Sequence, residues 1–508
     1  FVLLSLLGMM AALIADKMRP GMVLFSVVVL FLCVGILTPK EMLEGFSNKG
    51  MITVALLFLV SEGIRQSGTL GQVIKKLLPQ GKTTVFKAQL RILPSVAFIS
   101  AFLNNTPVVV IFAPIIKHWA KSVKLPATKF LIPLSYVTIL GGICTLIGTS
   151  TNMVVHGMIL EAGYEGFTMF ELGKVGIFIA IAGIIYLFIF SKRLLPDARP
   201  DTAVPDEEVE EGEKLHRVEA VLGARFPGIN KKLSDFNFQR HYGAEVKEIK
   251  TRNGQRYVDH LEDVVLREGD TLVVMADDTF IPTWGESSVF VLLTNGNDPD
   301  TSGKKKRWLA LILLVLMIVG ATVGELPATK EMFPDIKLDM FFFVCITTII
   351  MAWTNIFPAR KYTKYISWDI LITIACAFAI SKAMVNSGVA DCVAGFIIGL
   401  SDDYGPHVLL AILFVITNLF TELITNNAAA ALAFPLALSI SAQLGVSPTP
   451  FFVVICMAAS ASFSTPIGYQ TNLIVQGIGN YKFTDFVRIG LPLNIITFLI
   501  SVILIPLI

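Results

Sequence analysis

Charged residues are scarce in this 508-residue chain: they make up 16% of it, against 54% hydrophobic residues. This balance argues against an ordinary soluble enzyme, in which about a quarter of the residues are charged. A basic stripe is also lacking, and a formal net charge of +2 argues against a nucleic-acid partner. No Ser-His-Asp set, phosphate-binding loop or HExxH motif occurs, so we expect that the protein is not an enzyme.

Paired cysteines are missing as well. The six cysteines all lie in apolar segments without C-x-x-C spacing, which indicates small buried hydrophobic residues rather than disulfides or metal ligands. They are Cys33, Cys144, Cys345, Cys376, Cys392 and Cys456. The chain starts at Phe1 inside an apolar run, so we expect that an N-terminal segment is absent.

The few charges are unevenly distributed. Half of them lie between residues 191 and 307, in less than a quarter of the chain. The sequence therefore predicts a soluble insertion between two membrane portions. The predicted divisions are a first transmembrane repeat at 1–194, an acidic linker at 195–215, a cytosolic domain at 216–285, a second linker at 286–307 and a second transmembrane repeat at 308–508.

The two membrane portions share a pattern that recurs after 320 or 321 residues. Asn104-Asn105-Thr106 returns as Thr425-Asn426-Asn427, and Ile147–Asn152 returns as Ile467–Asn472. Each Asn cluster has apolar arms of about a dozen residues, which is typical of a re-entrant helical hairpin. The second motif interrupts long apolar runs at Gly148–Asn152 and at Thr465–Asn472, which is typical of a helix unwound at mid-membrane.

Charge asymmetry indicates how the repeats are oriented. Apolar runs of about 20 residues predict membrane-crossing helices, and five crossings plus one hairpin per repeat require the second repeat to be inverted. Basic clusters such as Lys304–Arg307 then fall on the cytoplasmic side, whereas no Lys or Arg lies between Lys382 and Lys482. We predict a polytopic α-helical protein of the plasma (cell inner) membrane, with inverted repeats and a small α+β cytosolic insertion.

The insertion itself has a strand pattern. Residues 217–222, 244–249 and 271–275 read as strands, with turns at 253–254 and 268–270 and a short helix over 233–239. Pro227-Gly228, residues 233–238, 242–244 and 266–270 resemble the TrkA-C module, the C-terminal regulator-of-potassium-conductance domain. The resemblance implies dimerisation, here a homodimer, and in some cases a nucleotide ligand. The alternative is an assembly domain without a ligand.

The repeated Asn clusters suit both anions and cations. Helix N-termini attract anions, while carbonyl, hydroxyl and amide oxygens suit sodium, and Asn can serve both because it donates and accepts. The sequence therefore predicts two pseudo-symmetric cation sites with an anion between them. Glu422, beside the second cluster, is expected to hold the hairpin by accepting backbone N–H bonds.

These motifs resemble the paired Ser-Asn-Thr and Gly-Thr-Pro-Pro-Asn signatures of the divalent anion:sodium symporter family. The resemblance implies a first sodium site of Ser100, Asn104, Asn105 and Gly148, and a second of Thr421, Thr425, Asn426 and Gly468. It also implies an anion site of Asn105, Thr106, Asn426 and Asn427, lined by Thr149, Tyr469 and Gln470. Asn replaces Ser at 104 and Thr at 427, and both Pro pairs are missing, which leaves the substrate open.

The predicted function is sodium-coupled uptake of a small divalent inorganic anion, sulfate, by alternating access across a lipid bilayer. Two alternatives are a sodium-coupled dicarboxylate transporter and a channel or sensor gated by its cytosolic module. The chain has no TVGYG-type filter, which argues against the channel.

Overall fold

The computed structural model describes residues 1–15, 18–79, 81–197, 216–223, 225–251, 255–277, 280, 284, 289–294, 304–333, 336–399 and 406–507. Before the insertion, the described part is helical. Its helices are α1 Val2–Ala15, α2 Pro20–Cys33, α3 Pro39–Glu44, α4 Lys49–Gln66, α5 Thr69–Leu77, α6 Val85–Ser100, α7 Asn105–Ser122, α8 Leu131–Gly142, α9 Ser150–Glu161 and α10 Gly173–Leu194.

The part after the insertion is helical again. Its helices are α12 Lys304–Gly324, α13 Pro327–Met332, α14 Met340–Trp353, α15 Tyr362–Tyr365, α16 Trp368–Asn386, α17 Val389–Gly399, α18 Pro406–Leu423, α19 Asn426–Leu444, α20 Thr449–Ser460, α21 Gln470–Gly479 and α22 Phe483–Leu504; α11 Phe238–Tyr242 belongs to the insertion. In the described ranges, six segments are long and apolar enough to cross a bilayer. They are Pro39–Gln66, Gly173–Leu194, Lys305–Gly324, Trp368–Asn386, Asn426–Leu444 and Phe483–Leu507.

Two helix pairs surround the Asn clusters. Residues 101–104 join α6 to α7, and residues 424–425 join α18 to α19. The four helices have 16, 18, 18 and 19 residues, so the prediction of arms of about a dozen residues was too short. In the first pair the helices continue beyond the apolar run into exposed charged residues such as Lys87 and Lys121, because good helix formers extend a helix when their side chains stay solvated.

Two helices are interrupted. Residues 143–149 separate α8 from α9, and residues 461–469 separate α20 from α21. Asn152 and Asn472 were predicted to lie within these breaks, but both lie in the helices that follow. Each donates an amide N–H to a carbonyl of the preceding break, at 2.9 and 2.8 Å. They thereby satisfy carbonyl groups that the end of a helix leaves without partners.

The insertion contains a five-stranded antiparallel sheet in the order β3-β2-β4-β1-β5. Its strands are β1 His216–Leu222, β2 Glu245–Lys250, β3 Arg256–Tyr257, β4 Thr271–Ala276 and β5 Phe290–Thr294. The three predicted strands are confirmed to within one residue. The sheet also extends into the range predicted as the second linker, because β5 pairs with β1. The predicted acidic linker from residue 198 onward and the turn at 253–254 lie outside the described residues.

The helix predicted over 233–239 is wrong. The helix begins at Phe238, where the Asn237 side chain accepts a hydrogen bond from Arg240 N at 3.0 Å and caps it. Residues 233 and 234 instead donate their backbone N–H groups to the carbonyls of Val264 and Glu262, about 30 residues later in the sequence, and not to the carbonyls of a helical turn. Residues 233–237 are therefore not helical, and the helix starts five residues later than predicted.

Two apolar cores hold the structure together. One runs through the membrane-type helices, and it includes Val221 of β1. The other lies inside the insertion, where the rings of Phe226, Phe236, Tyr242 and Phe290 contact one another in edge, stacked and tilted arrangements with centroids 5.0–6.1 Å apart. The sheet thus has its own core on one face and contacts the helices with a residue from the other face.

Candidate functional site

A cluster of buried oxygens lies at the first Asn cluster. Ser100 is fully buried and donates its hydroxyl to the Thr138 carbonyl at 2.9 Å. One end of the Asn105 amide faces Ser100 Oγ at 2.8 Å, the Thr138 carbonyl at 2.9 Å and the Gly148 carbonyl at 3.3 Å. The amide nitrogen fits that end, since all three partners can accept, and the amide oxygen then accepts from the Tyr469 hydroxyl at 2.6 Å.

The second Asn cluster repeats this arrangement. Thr421 Oγ1 lies 2.9 Å from Asn426 Oδ1 and donates to the Ala459 carbonyl at 2.6 Å. All three residues have counterparts at the same offset of 321 in the first cluster. The pairs are Ser100 and Thr421, Asn105 and Asn426, and Thr138 and Ala459.

Two threonines that were not predicted support the breaks. The Gly148 N–H donates to Thr145 Oγ1 at 3.2 Å, and the Gly468 N–H donates to Thr465 Oγ1 at 3.3 Å. Thr145 also donates to the Ala101 carbonyl in the loop of the first helix pair. The offset of 320 between the two threonines would have identified them, because it is the offset of every other paired site residue in the breaks.

Tyr469 lies at the centre of the site. Its hydroxyl is 2.6 Å from the Asn105 amide and 3.1 Å from Thr149 Oγ1, and it also contacts the Asn426 side chain. The side chain is 8% exposed. One phenol from the second half thus links residues of both Asn clusters.

Four helices begin at this site. Thr106 Oγ1 donates to Gln470 Oε1 at 3.3 Å, so the N-termini of α7 and α21 meet. Ser150 and Thr151 donate to Asn427 Oδ1 at 3.3 and 3.2 Å, so the N-termini of α9 and α19 meet. The structure therefore brings together all the residues predicted to bind the anion.

The four N-caps leave their helices without a side-chain cap. Asn104, Thr149, Thr425 and Tyr469 precede α7, α9, α19 and α21, and none of them accepts a hydrogen bond from its own helix. The first N–H groups of each helix are therefore available, and each N-terminus carries about half a positive charge. Such ends bind anions without Lys or Arg.

The side chains of two predicted sodium ligands lie outside the oxygen clusters. Thr425 is exposed, and among the described contacts neither its side chain nor that of Asn104 makes a hydrogen bond. Asn104 instead lines a cavity of about 10 Å³ with Ser61, Thr149 and Ser150. A cavity of this volume holds about one water molecule.

Glu422 supports the second break. It accepts hydrogen bonds from the backbone N–H groups of Ser464 and Thr465 at 2.8 and 2.9 Å, and from Asn494 Nδ2 at 2.7 Å. The predicted acceptor role is present, but the donors belong to the break rather than to the hairpin. The matching position of the first half is Ala101, so this carboxylate has no counterpart there.

The insertion rests on helices that begin at the site. Lys117 near the end of α7 lies 3.0 Å from both carboxylate oxygens of Glu219 on β1. A Cβ added at Gly269 would lie 3.5 Å from Leu473 of α21, and one added at Gly477 would overlap the Thr271 hydroxyl. The insertion thus contacts both α7 and α21.

Long apolar helices around a buried polar site with four helix N-termini are features of an integral membrane transport protein. Comparison with known families specifies the class. The family model described as "Citrate transporter" matches residues 10–445 and 335–508. The chain belongs to this family, whose members are membrane transporters rather than enzymes.

Individual relatives differ in coverage. The chain is 30% identical to "Uncharacterized transporter sll0640" of Synechocystis over 95% of this chain and 92% of that protein. It is also 30% identical to "Sodium/sulfate cotransporter 2" of Chlamydomonas reinhardtii, over 55% of this chain and 31% of that protein. A third relative, the "Sodium-dependent dicarboxylate transporter SdcS" of Staphylococcus saprophyticus, is 25% identical over 28% of each chain. The family model does not show the TrkA-C resemblance of the insertion, which stays a prediction.

Proposed function

We propose that this protein couples the inward movement of sodium to uptake of a small divalent oxyanion, sulfate, across the plasma membrane. The observation that carries the proposal is the doubled oxygen cluster: a hydroxyl, an Asn amide and a helix-end carbonyl, repeated 321 residues apart. The sodium/sulfate cotransporter among the relatives supports the choice of ions.

The first cluster has the chemistry of a sodium site. Ser100 Oγ and the carbonyls of Thr138 and Gly148 all face one end of the Asn105 amide. Without a cation the amide nitrogen donates to them; with sodium bound, the amide oxygen would turn to the same side and complete four neutral oxygens. Hard cations prefer such oxygen ligands. At the second cluster, Thr421, Asn426 and the Ala459 carbonyl supply the equivalent atoms, and Gly468 the carbonyl by analogy.

The anion would be held between the two clusters. The helix N-termini at Asn105, Ser150, Asn426 and Gln470 supply N–H donors, and Asn427 and Thr106 supply polar side chains. No Lys or Arg lies between residues 92 and 116, around the first cluster, or between Lys382 and Lys482, around the second. Two negative charges inside a membrane therefore depend on helix ends and on bound cations for compensation, which accounts for obligatory coupling.

The proposed architecture consists of two inverted repeats, each with a re-entrant hairpin (α6–α7 and α18–α19) and an unwound helix (α8–α9 and α20–α21). The equal offsets of the paired hydrogen bonds support the repeats, and the charge asymmetry of the loops supports the inversion. In this arrangement the insertion, a TrkA-C-like domain, is cytoplasmic, and the protein works as a homodimer by alternating access.

Uptake into proteoliposomes tests the proposal. Labelled sulfate should accumulate when sodium is supplied outside, and should not accumulate when choline replaces sodium at fixed pH and voltage. Equal uptake in choline would contradict sodium coupling. If sulfate is taken up neither in sodium nor in choline, sulfate is rejected as the substrate.

Variants on one helix connect the coupling to the oxygen cluster. Ser100→Ala removes a predicted sodium ligand and should raise the sodium concentration for half-maximal uptake at least fivefold, because a buried hydroxyl contributes about 1 kcal/mol. Ser95→Ala is the matched control, because its described hydrogen bond is to the Arg91 carbonyl of its own helix. It should leave the sodium concentration for half-maximal uptake unchanged.

A dicarboxylate is the second candidate substrate, since one relative is a dicarboxylate transporter. The family description, which names the tricarboxylate citrate, supports a carboxylate substrate in general. The same liposomes distinguish the two. Sodium-dependent uptake of labelled succinate, with sulfate neither transported nor competing, would favour the dicarboxylate.

A further inference from the structure

The two halves of the site differ sharply at one pair of positions. Thr149 and Tyr469 are 320 residues apart and precede the equivalent helices α9 and α21 with similar extended backbone angles, φ −138° and −134°. Their hydroxyl oxygens nevertheless meet, 3.1 Å apart. The tyrosine reaches across the centre of the site, whereas the threonine stays on its own side.

The position of the phenol decides how much room an anion has. The Tyr469 hydroxyl contacts both Asn105 and Asn426, the two residues proposed to serve cation and anion together. Its ring is buried, and a tyrosine has only two side-chain torsions, so it cannot easily fold away. The adjacent cavity next to Thr149 and Ser150 has a volume of only about 10 Å³.

We propose that Tyr469 is the residue that sets substrate size. Its ring fills the space that a threonine would leave open. Its hydroxyl, which donates to the Asn105 amide oxygen in the structure, is released when that oxygen turns to a bound sodium ion and then donates to the anion. This inference rests on the proposed anion site between the two Asn clusters. A compact tetrahedral oxyanion presents an acceptor oxygen toward every wall and fits beside the hydroxyl. A four-carbon dicarboxylate has its two charges at opposite ends of a longer chain and needs the space that the ring occupies.

The ring and the hydroxyl have separable effects. The ring excludes long anions by volume, while the hydroxyl attracts any anion that fits, because a phenol O–H is a hydrogen-bond donor in a site without Lys or Arg. Tyr469→Phe therefore removes the hydrogen bond that attracts the anion but keeps the ring that excludes long anions. Tyr469→Thr places the residue of the first half of the site in the second half and removes the ring, so long anions can enter.

Competition assays measure both effects. Purified protein in proteoliposomes takes up labelled sulfate in sodium, with unlabelled sulfate, thiosulfate, malonate or succinate as competitor. For Tyr469→Phe we expect sulfate affinity to fall about fivefold with an unchanged ratio of sulfate to succinate affinity. For Tyr469→Thr we expect that ratio to fall tenfold or more. Tyr186→Phe, which loses a phenol hydroxyl bonded to the Ile489 carbonyl outside the site, is the matched control.

The outcomes separate this inference from the proposed function. A wild-type protein that transports sulfate and is inhibited equally by sulfate and succinate overturns the inference alone, whether or not the variants fold. An unchanged ratio in a folded Tyr469→Thr protein overturns it as well. No sodium-dependent uptake of any of these anions by the wild type would instead reject the proposed function. A wild-type protein that binds malonate much more weakly than thiosulfate supports the size limit.

Discussion

The ion pair between the insertion and α7 allows a quantitative prediction of how firmly the two parts are joined. Lys117 lies 3.0 Å and Lys250 3.6 Å from the Glu219 carboxylate. Burial alone would raise the pKa of Glu219, but these two lysines lower it from 4.5 to about 2. A pKa lowered by that much corresponds to about 3 kcal/mol of stabilisation of the folded, docked insertion over its unfolded state. Only the share from Lys117 joins the insertion to α7, because Lys250 lies on β2 of the insertion itself.

The sign of the pH dependence follows directly. Because the pKa of Glu219 is lower in the folded protein, the stabilisation is fully present above about pH 4.5 and is lost as the pH falls toward 2. At neutral pH the pair is best measured by mutation. Lys117→Met and Glu219→Gln, singly and together, should give a coupling energy of about 1–2 kcal/mol, with Lys250 supplying most of the rest.

Hydrogen exchange of the β1 amides in lipid nanodiscs reports the free energy of unfolding the docked insertion for each variant, because β1 is paired on both sides within the sheet. Lys121→Met, which changes an exposed lysine one turn further along α7, is the matched control and should alter it by less than about 0.5 kcal/mol. A coupling energy within about 0.3 kcal/mol of zero would refute the reasoning, since distant, independent sites show additivity of that order.

Three further predictions concern the site and the insertion. Asn105→Ala and Asn426→Ala should each abolish sulfate uptake in a protein that still elutes as a folded species, because each substitution leaves buried partners unpaired at about 1–3 kcal/mol apiece; wild-type affinity in either would make both amides structural. Cys456→Ser should raise the melting temperature. Asn152 Oδ1 is buried without a described hydrogen-bond partner, whereas its counterpart Asn472 accepts from the Ser135 hydroxyl at 2.7 Å, and the counterpart of Ser135 at the offset of 321 is Cys456. A lower melting temperature would show that the serine is unsatisfied there. Replacing residues 205–300 with a short flexible linker should leave sulfate binding measurable by calorimetry while changing the transport rate, and a folded deletion protein that binds no sulfate at any concentration would contradict this.

Repetition made much of the site predictable. Asn105 and Asn426 were identified because polar residues in apolar sequence are expensive in a membrane and these recur at a fixed offset. The contacts of Tyr469 were not predictable in the same way. Its offset predicts the position of its backbone, but the reach of the phenol across to Asn105 depends on packing between the two halves.

Elements whose backbone hydrogen-bond partners are distant in the sequence were predicted less well. The helix predicted over 233–239 has helix-compatible residues, yet its backbone pairs with residues 262–265, which a local pattern does not reveal. Strand β5 was assigned to a linker for a similar reason, since its partner β1 lies about 70 residues earlier. Glu422 shows the intermediate case: its acceptor role was predicted from its position beside the second Asn cluster, but its donors in the break were not.

The placement of the insertion gives the proposed transport cycle a mechanical consequence. At 1.5 Å per residue, the contact at Lys117 is about 18 Å from the start of α7 at Asn105, and the contact at Gly477 is about 10 Å from the start of α21. The insertion also contacts a third segment: the Arg225 guanidinium donates to the Ile366 carbonyl at 3.3 Å, just before α16, which carries no site residue.

In the proposed transport cycle, the insertion would act as a brake between α7 and α21, which move, and the segment before α16, which does not. If α7 and α21 carry the anion across the membrane, the domain must either travel with them and release Ile366, or hold Ile366 and release them. Either choice adds an energy barrier to transport that depends on contacts of the insertion rather than on the anion. Faster sulfate exchange in Arg225→Ala than in the wild type would be its kinetic sign, and an unchanged rate would indicate that the domain moves without resistance.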